Sequence, residues 1–365
     1  MNLGMRGLSL LFRITLAACL LSCGRPARAQ HYLQTNLVSD VAGPAPTPDS
    51  NLVNPWGLAR GTTTPWWVAN NGTGTSTLYT GAGAIVPKVV TVPAGKPGDM
   101  GVPSAMVFNK TADFVLTMGG PALFIFVTED GTISGWNSGL VPADVAVVMK
   151  KPDGAVYKGA AIASFQGKNY LYVTNFARRR IDVFDAGFHR VRTSEEAFDD
   201  DRIPRGFSPF NVWNIGDNLY VTYAKVDPAT LDDVKGAGLG FVDVFSPGGR
   251  LLRRFEHGDW LNAPWGLALA PSDFGAFSHH LLVGQFGSGE IAAYNVATGR
   301  FVGKVKDTSD HVLSIDGLWA LSFGNGGGAG PLNTLFFTAG PDDESHGLFG
   351  NLTAVSAEQL LGNGK

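Results

Sequence analysis

Cysteine and charge are what this 365-residue chain has least of. Its two cysteines stand at positions 19 and 23, so a disulfide-stapled fold is excluded. Charged residues make up 16% of the chain, against about 25% in an average globular protein, which argues against coiled coils and helical repeats. Hydrophobic residues reach 44%, which excludes a disordered chain. Stability must therefore come from a large apolar core.

The motifs of several enzyme classes are also missing. The chain has no G-x-S-x-G, no G-x-x-x-x-G-K-[ST] and no H-E-x-x-H string. The P-loop is therefore excluded, and nothing supports a hydrolase nucleophile elbow or a zinc protease. The one basic cluster, at 178–180, has the character of a solvated turn, so we expect no nucleic-acid partner. The catalytic residues, if there are any, stay unknown.

The first 29 residues have the layout of a secretory signal. Arginines precede an apolar run, ITLAACLL (14–21), which an A-x-A site ending at Ala29 follows. The run is too short to span a bilayer. Cleavage would leave no cysteine and a net charge of −7, from 24 basic and 31 acidic groups. We expect a periplasmic or extracellular protein without a transmembrane segment. A lipoprotein anchored at Cys23 or Cys19 is the alternative.

Internal repetition is the most informative feature that is present. Six short apolar runs resemble one another and have the composition of strands buried on both faces. They recur every 46 to 62 residues, 54 on average, which is typical of propeller blades with loop insertions. The six runs are WWVANN (66–71), LFIFVTED (123–130), YLYVTNF (170–176), NLYVTYA (218–224), HLLVGQF (280–286) and TLFFTAG (334–340).

Each run has companion strands on both sides. Upstream lies a strand rich in small residues, as an innermost strand must be where blades crowd around an axis. A third strand follows each run, and five units also have a fourth. The pattern predicts an all-β fold: a six-bladed β-propeller of four-stranded antiparallel blades over 51–362. A β-sandwich is the alternative, but it would not explain six similar units.

The sixth unit has no fourth strand of its own. The segment YLQTNLVS (32–39), which precedes the first repeat, alternates as a strand does. We predict that this N-terminal strand completes the sixth blade and closes the ring, which removes two exposed sheet edges. Residues 30–50 would then be this closing strand and a proline-rich linker, GPAPTPDS (43–50).

Several strings resemble known propeller families. LYVTNFARRRIDVFDAGF (171–188) is similar to an NHL-type repeat. LNAPWGLALAPSDFG (261–275), IDGLWALSFGNG (315–326) and NTLFFTAGPDDESHGLFG (333–350) resemble an uncharacterised family of exported bacterial propeller proteins. This resemblance implies the fold and export, and it names no reaction. Some members of that family carry an exosortase-sorting tail, which the chain's ending AEQLLGNGK does not resemble.

A metal site over the channel is a second implication of resemblance. IDGLW (315–319) is similar to a strand of calcium-dependent lactonase propellers, which would make Asp316 a metal ligand. Asn54 and Asn262 stand at two other inner strands and could add oxygen ligands for calcium. The glutamate that those enzymes carry in their first blade is absent here. Asparagines that hydrogen-bond a turn before proline are the alternative, and the acidic loop 341–347 is either a surface calcium site or a solvated turn.

Aromatic residues recur at the starts of the inner strands. Trp56, Phe210, Trp265 and Trp319 could line one mouth of the channel and bind a sugar or another flat ligand. They could equally be core residues wedged between the blades.

The sequence favours a monomeric binding or scaffold propeller outside the cytoplasm, with no defined reaction. Its partner would be a small molecule, a glycan or a protein. The alternative is a calcium-dependent lactonase or esterase, whose metal would polarise a carbonyl group.

Overall fold

The computed structural model describes residues 31–355 and Met1. The predicted signal segment, with Cys19, Cys23 and Ala29, lies outside the described residues. Residues 31–355 form 26 strands and one short 3₁₀ helix, Gly275–Phe277. Within that range, no helix combines the length and apolar character needed to cross a lipid bilayer.

The strands form six small sheets, and the inner strand of each sheet contacts the inner strands of its two neighbours. The ring begins with strands β1 (His31–Ser39) and β2 (Thr47–Pro48). Blade 1 contains β3 (Pro55–Ala59), β4 (Trp66–Asn70), β5 (Thr75–Tyr79) and β6 (Ile85–Thr91). Blade 2 contains β7 (Pro103–Phe108), β8 (Phe124–Thr128), β9 (Ile133–Trp136) and β10 (Val147–Lys150). Blade 3 contains β11 (Tyr157–Phe165), β12 (Lys168–Asn175), β13 (Arg180–Phe184) and β14 (Arg190–Val191).

The second half of the chain repeats the arrangement. Blade 4 contains β15 (Phe207–Ile215), β16 (Asn218–Val226), β17 (Asp233–Val234), β18 (Gly240–Phe245) and β19 (Leu251–Arg254). Blade 5 contains β20 (Pro264–Leu269), β21 (His280–Gln285), β22 (Ile291–Asn295) and β23 (Phe301–Lys304). Blade 6 contains β24 (Leu318–Phe323), β25 (Leu335–Ala339) and β26 (Leu348–Val355). The predicted six-bladed β-propeller is confirmed, since β24 contacts β3 and closes the circle.

The N-terminal strand closes the ring as predicted. Strand β1 pairs antiparallel with β26 from His31 opposite Val355 to Ser39 opposite Leu348. The hydroxyl of Tyr32, which is fully buried, donates a hydrogen bond of 3.0 Å to the backbone carbonyl of Phe274 in blade 5. Strand β1 therefore holds blade 6 to its neighbour as well as to its own sheet.

Two details differ from the sequence prediction. The predicted linker contains the short strand β2, which pairs parallel with β1. Blade 4 carries the extra strand β17, which pairs with β16 before the chain enters β18. This excursion brings an Asp232 oxygen to 2.8 Å from the Lys158 ammonium of blade 3.

The crowding of the inner strands explains their glycines. A Cβ atom added at Gly266 in β20 would lie 2.5 Å from the backbone oxygen of Trp319 in β24. Backbone cannot yield as a flexible side chain can, so Gly266→Ala should lower the free energy of unfolding by about 3 kcal/mol. Gly303→Ala in the same blade is the control, since its nearest neighbour would be the Phe277 ring at 3.7 Å. Urea denaturation that finds equal losses in both variants would contradict this packing argument.

Candidate functional site

One end of the central channel is filled by aromatic rings, which we call the aromatic plug: Trp56, Phe210, Trp265, Phe286 and Trp319. The centroid of the Trp319 ring lies 3.7 Å from that of Trp56 and 3.8 Å from that of Phe286, both in stacked geometry. Trp265 and Phe210 meet Trp319 edge-on, at 5.8 Å and 6.0 Å. Four of these residues lie near the starts of inner strands. Because the inner strands of all six blades surround the same axis, these four side chains meet there.

The aromatic plug contains the four residues that were predicted to line a ligand-binding mouth of the channel. The structure places Trp56, Phe210, Trp265 and Trp319 side by side, but each is at most 3% exposed. Their faces are used against one another, which is the core packing that the sequence left as an alternative. A ligand-binding role for these four residues stays a prediction, and it would need the plug to open.

A group of charged side chains covers the plug, and we call it the axial ion cluster: Glu129, Lys158, Asp232, Asp233 and Glu344. The Lys158 ammonium, only 1% exposed, lies 2.6 Å from a Glu129 oxygen and 2.8 Å from an Asp232 oxygen. Its Nζ atom also lies 4.7 Å from the centre of the Trp56 ring. The cluster joins blades 2, 3, 4 and 6, since its members lie within or next to strands of those four sheets, or in the loop between two of them.

Lys158 is held in its charged form. Burial alone would lower its pKa, but the carboxylates of Glu129 and Asp232 outweigh burial, and the pKa is raised above its usual value. A protonated ammonium is not a nucleophile. The residue is therefore suited to locking the blades together through its two carboxylate partners, and not to covalent catalysis.

The carboxyl groups beside Lys158 behave differently. Burial and the negative charge of Asp232 raise the pKa of Asp233 to about 7. Burial also raises the pKa of Glu344. The carboxylate accepts a hydrogen bond of 2.7 Å from Asn54 Nδ2, which lowers the pKa, but the effect of burial is larger. Of these two carboxyls, Asp233 can exchange a proton near neutral pH.

The raised pKa of Asp233 predicts a pH effect on stability. The folded state binds this proton more tightly than the unfolded state, so the associated stabilisation is present below about pH 4 and is lost as pH rises through about 7. The wild type loses this stabilisation between those limits, and Asp233→Asn does not. The free energy of unfolding of Asp233→Asn, relative to that of the wild type, should therefore rise by a few kcal/mol between about pH 4 and pH 7 and stay constant above that. Urea denaturation across this range measures it, with the exposed Asp217→Asn as control. A difference that does not change with pH would contradict the prediction.

The predicted metal ligands each contact a different partner. Asn54 Oδ1 accepts a hydrogen bond of 3.1 Å from Trp319 Nε1, and Asn262 Oδ1 accepts one of 2.6 Å from the Gly236 amide. Asp316 is exposed, and its Oδ2 accepts a hydrogen bond of 2.9 Å from the Asp342 amide. Asn262 thus bonds a backbone group, as in the alternative, whereas the Asn54 side chain bonds the side chains of Trp319 and Glu344.

These residues offer calcium little in their present arrangement, because the two asparagine oxygens already accept hydrogen bonds. Within residues 31–355, no three His, Cys, Asp or Glu side chains are grouped so as to hold a metal ion. The calcium site at Asn54, Asn262 and Asp316 stays a prediction. The loop 341–347 is also more than a solvated turn, because its Glu344 bonds Asn54 and feels the charges of Asp232 and Lys158.

The opposite end of the channel is open. A cavity of about 570 Å³ is lined by residues of all six inner strands, near the point where each strand ends. One lining residue from each blade is Ala59, Phe108, Ile162, Ile215, Leu269 and Phe323. Towards the plug the channel narrows to a space of about 10 Å³, which is about the volume of one water molecule. The cavity is therefore a funnel closed at its inner end.

The chemistry of the funnel is simple. Most of its lining residues are aliphatic, and its aromatic members are Phe108, Trp213 and Phe323. Two cations, Arg60 and Lys110, belong to the lining, and of the residues in the described range that line it, none is Asp, Glu, His or Cys. The funnel is thus apolar and positively charged, whereas the axial ion cluster at the other end is rich in carboxylates.

Sequence reasoning missed both features. Lys158 could have been found from the sequence, because it is the one charged residue in KGAAIA (158–163), an inner strand of otherwise small and apolar residues. Glu129 and Asp232 could not have been found in this way, since each follows a strand or a turn, where acids are common. The funnel left no motif, because small and aliphatic residues that line a cavity look like residues of the core.

Comparison with known proteins gives the chain relatives but no reaction. No protein-family model matches it. It is 33% identical to uncharacterized protein R648 of Acanthamoeba polyphaga mimivirus, over 90% of this chain and 82% of that protein. It is 32% identical to uncharacterized protein L690 of the same virus, over 83% of this chain and 81% of that protein. These relatives are viral, so the comparisons do not support the bacterial origin or the export that the sequence resemblance implied.

Solved structures of similar fold support the architecture alone. A streptogramin B lyase matches with a TM-score of 0.53 and 12% identity, over 90% of this chain and 100% of that one. A glucose dehydrogenase matches with a TM-score of 0.54 and 11% identity, over 89% and 100%. Both likenesses agree with the NHL-like propeller fold, and at such identities they say nothing of activity.

Proposed function

Because the chain belongs to one family with the mimivirus proteins R648 and L690, both uncharacterised, we propose its function from its own geometry. The protein is a binding propeller that takes a small molecule with an apolar body into the funnel. The six blades are the rigid frame, and the ends of the inner strands form the wall of the site.

The observation that carries the proposal is the funnel itself. Its volume of about 570 Å³ falls within the range of roughly 300 to 1,000 Å³ typical of small-molecule sites. Most of its lining residues are apolar by type, and polar and apolar atoms contribute about equally to its accessible surface, so a ligand would meet groups of both kinds. The aromatic plug closes its inner end, so a ligand would enter and leave by the same mouth.

The lining favours binding over catalysis. Of the described residues that form the wall, none is an Asp, Glu, His or Cys side chain, the types that most often act as general base or activated nucleophile. Streptogramin B lyase and glucose dehydrogenase, by their names, are enzymes. Their likeness to this chain shows only that propellers of this shape can host catalysis.

Nile red, a neutral dye that fluoresces in apolar surroundings, tests the proposal without assuming a charge on the ligand. We expect saturable binding of one dye per protein. Ser322, a half-buried residue of the wall, is the place to block it. Ser322→Trp should abolish binding and Ser322→Ala should preserve it, with both variants folded by circular dichroism. Dye binding that is absent in the wild type, or unchanged by Ser322→Trp, would refute the proposal.

A further inference from the structure

The charges of the funnel point to the class of its ligand. We propose that it selects a monocarboxylate with an apolar body, such as a medium-chain fatty acid. This inference rests on the proposed function and adds the chemical identity of the head group.

Arg60 is the first element of the argument. It follows β3, lines the funnel and is half-buried. Its Nε donates a hydrogen bond of 2.5 Å to the backbone carbonyl of Phe323, which fixes the plane of the guanidinium. The group lies 5.9 Å from the centre of the Trp66 ring. A guanidinium anchored through Nε keeps its two terminal nitrogens as donors, and this fork matches a carboxylate.

Within residues 31–355, Arg60 also forms no ion pair with a carboxylate. Burial alone lowers its pKa, whereas a neighbouring carboxylate would raise it. A half-buried cation without a counter-ion is unfavourable, and an anionic ligand would relieve that penalty. The guanidinium nevertheless stays protonated at neutral pH, because the usual pKa of arginine is so high.

Lys110 is the second cation of the lining. It stands two residues after β7 and is exposed, so it lies at the rim rather than at depth. An exposed ammonium on a flexible stem can attract an anion and follow it into the mouth. Arg60 and Lys110 come from blades 1 and 2, so they stand on adjacent inner strands.

The rest of the wall sets the other half of the specificity. Phe108, Ile215 and Leu269 are apolar residues of the wall that are at least partly exposed, and Leu269 is 42% exposed. An inorganic anion would leave this surface in contact with water. A hydrocarbon chain would cover it, at about 25 cal/mol for each Å² removed from water. The occupant therefore needs both a carboxylate and an apolar body.

Three octyl compounds of equal length test the head group by displacing Nile red from the native protein. We expect octanoate to displace the dye at a concentration at least about ten-fold lower than 1-octanol, with octylammonium the weakest. Equal potency of octanoate and 1-octanol would overturn the carboxylate assignment while leaving the proposed function intact. No binding of Nile red itself would refute the proposed function instead.

Variants locate the head group. Lys110→Gln and Arg60→Gln should each lower the affinity for octanoate about ten-fold and leave the affinity for 1-octanol unchanged. Arg300→Gln is the control, an exposed arginine of blade 5 outside the lining. Lys110 is exposed, so its variant will fold even if Arg60→Gln does not. An affinity for octanoate that survives both substitutions would overturn the proposal.

Discussion

Lys158→Met should lower the free energy of unfolding by about 3 kcal/mol. The substitution keeps an unbranched side chain in contact with Trp56 but removes the ammonium between Glu129 and Asp232. Breaking a buried ion pair costs about 3 to 5 kcal/mol, since a charge is left uncompensated. The lower figure applies because the partner side chains are 26% and 57% exposed, so water can solvate them.

Urea denaturation measures this loss, with Lys168→Met as a control. Lys168 begins the neighbouring strand β12 and is exposed, so its variant should change the free energy of unfolding by less than about 0.5 kcal/mol. Adding Glu129→Gln and Asp232→Asn to Lys158→Met should recover part of the loss, because the partners are then neutral. If Lys158→Met is as stable as its control, the axial ion cluster does not lock the blades.

Deletion of residues 31–40 should abolish soluble folding. Strand β1 supplies the outer part of blade 6, and without it the full length of β26 becomes an exposed edge. Such an edge is a template for aggregation. The deletion also removes the buried Tyr32 and its hydrogen bond to blade 5. The truncated chain should accumulate in the insoluble fraction and show no cooperative unfolding.

The matched control is Leu33→Ser in the same strand. Leu33 is 48% exposed, so this variant should fold with nearly the stability of the wild type. A synthetic peptide of residues 31–40, added during refolding, should restore part of the soluble truncated protein. A truncated chain with an unchanged melting temperature would contradict the closing role of β1.

The architecture could be predicted because every blade repeats the same local pattern. The middle strands Trp66–Asn70, Phe124–Thr128 and Leu335–Ala339 are buried at every residue. A strand buried on both faces must be a continuous apolar run, so six such runs at regular spacing indicate six equivalent sheets. The closing strand could be predicted for a related reason, since the last repeat was one strand short.

The site could be predicted only in part, because its residues come from different blades and meet only when the ring is closed. Trp56 and Trp319 occupy equivalent places in their repeats, so their meeting at the axis followed from the ring. Whether the rings are exposed or stacked depends on the radius of the channel, which local sequence does not encode. Lys158 and Asp232 are 74 residues apart in the chain, and only ring closure brings them to 2.8 Å.

The resemblance to an exported bacterial family was informative about the fold of the protein and not about its organism of origin. Strings such as LNAPWGLALAPSDFG reflect the constraints of an inner strand: proline at its start, glycine at its close contact and a tryptophan for the plug. These constraints belong to the fold and carry no information on the source of the chain. The viral relatives R648 and L690 match 90% and 83% of the chain and do not support export.

A crystal structure of the protein with octanoate would test the central claim most directly, namely that the funnel is the binding site. We predict density for one octanoate between the ends of the six inner strands, with its carboxylate at the Arg60 guanidinium and its chain against Phe108 and Leu269. Density only on the outer surface, or an empty funnel at octanoate concentrations that saturate the protein in solution, would contradict the claim.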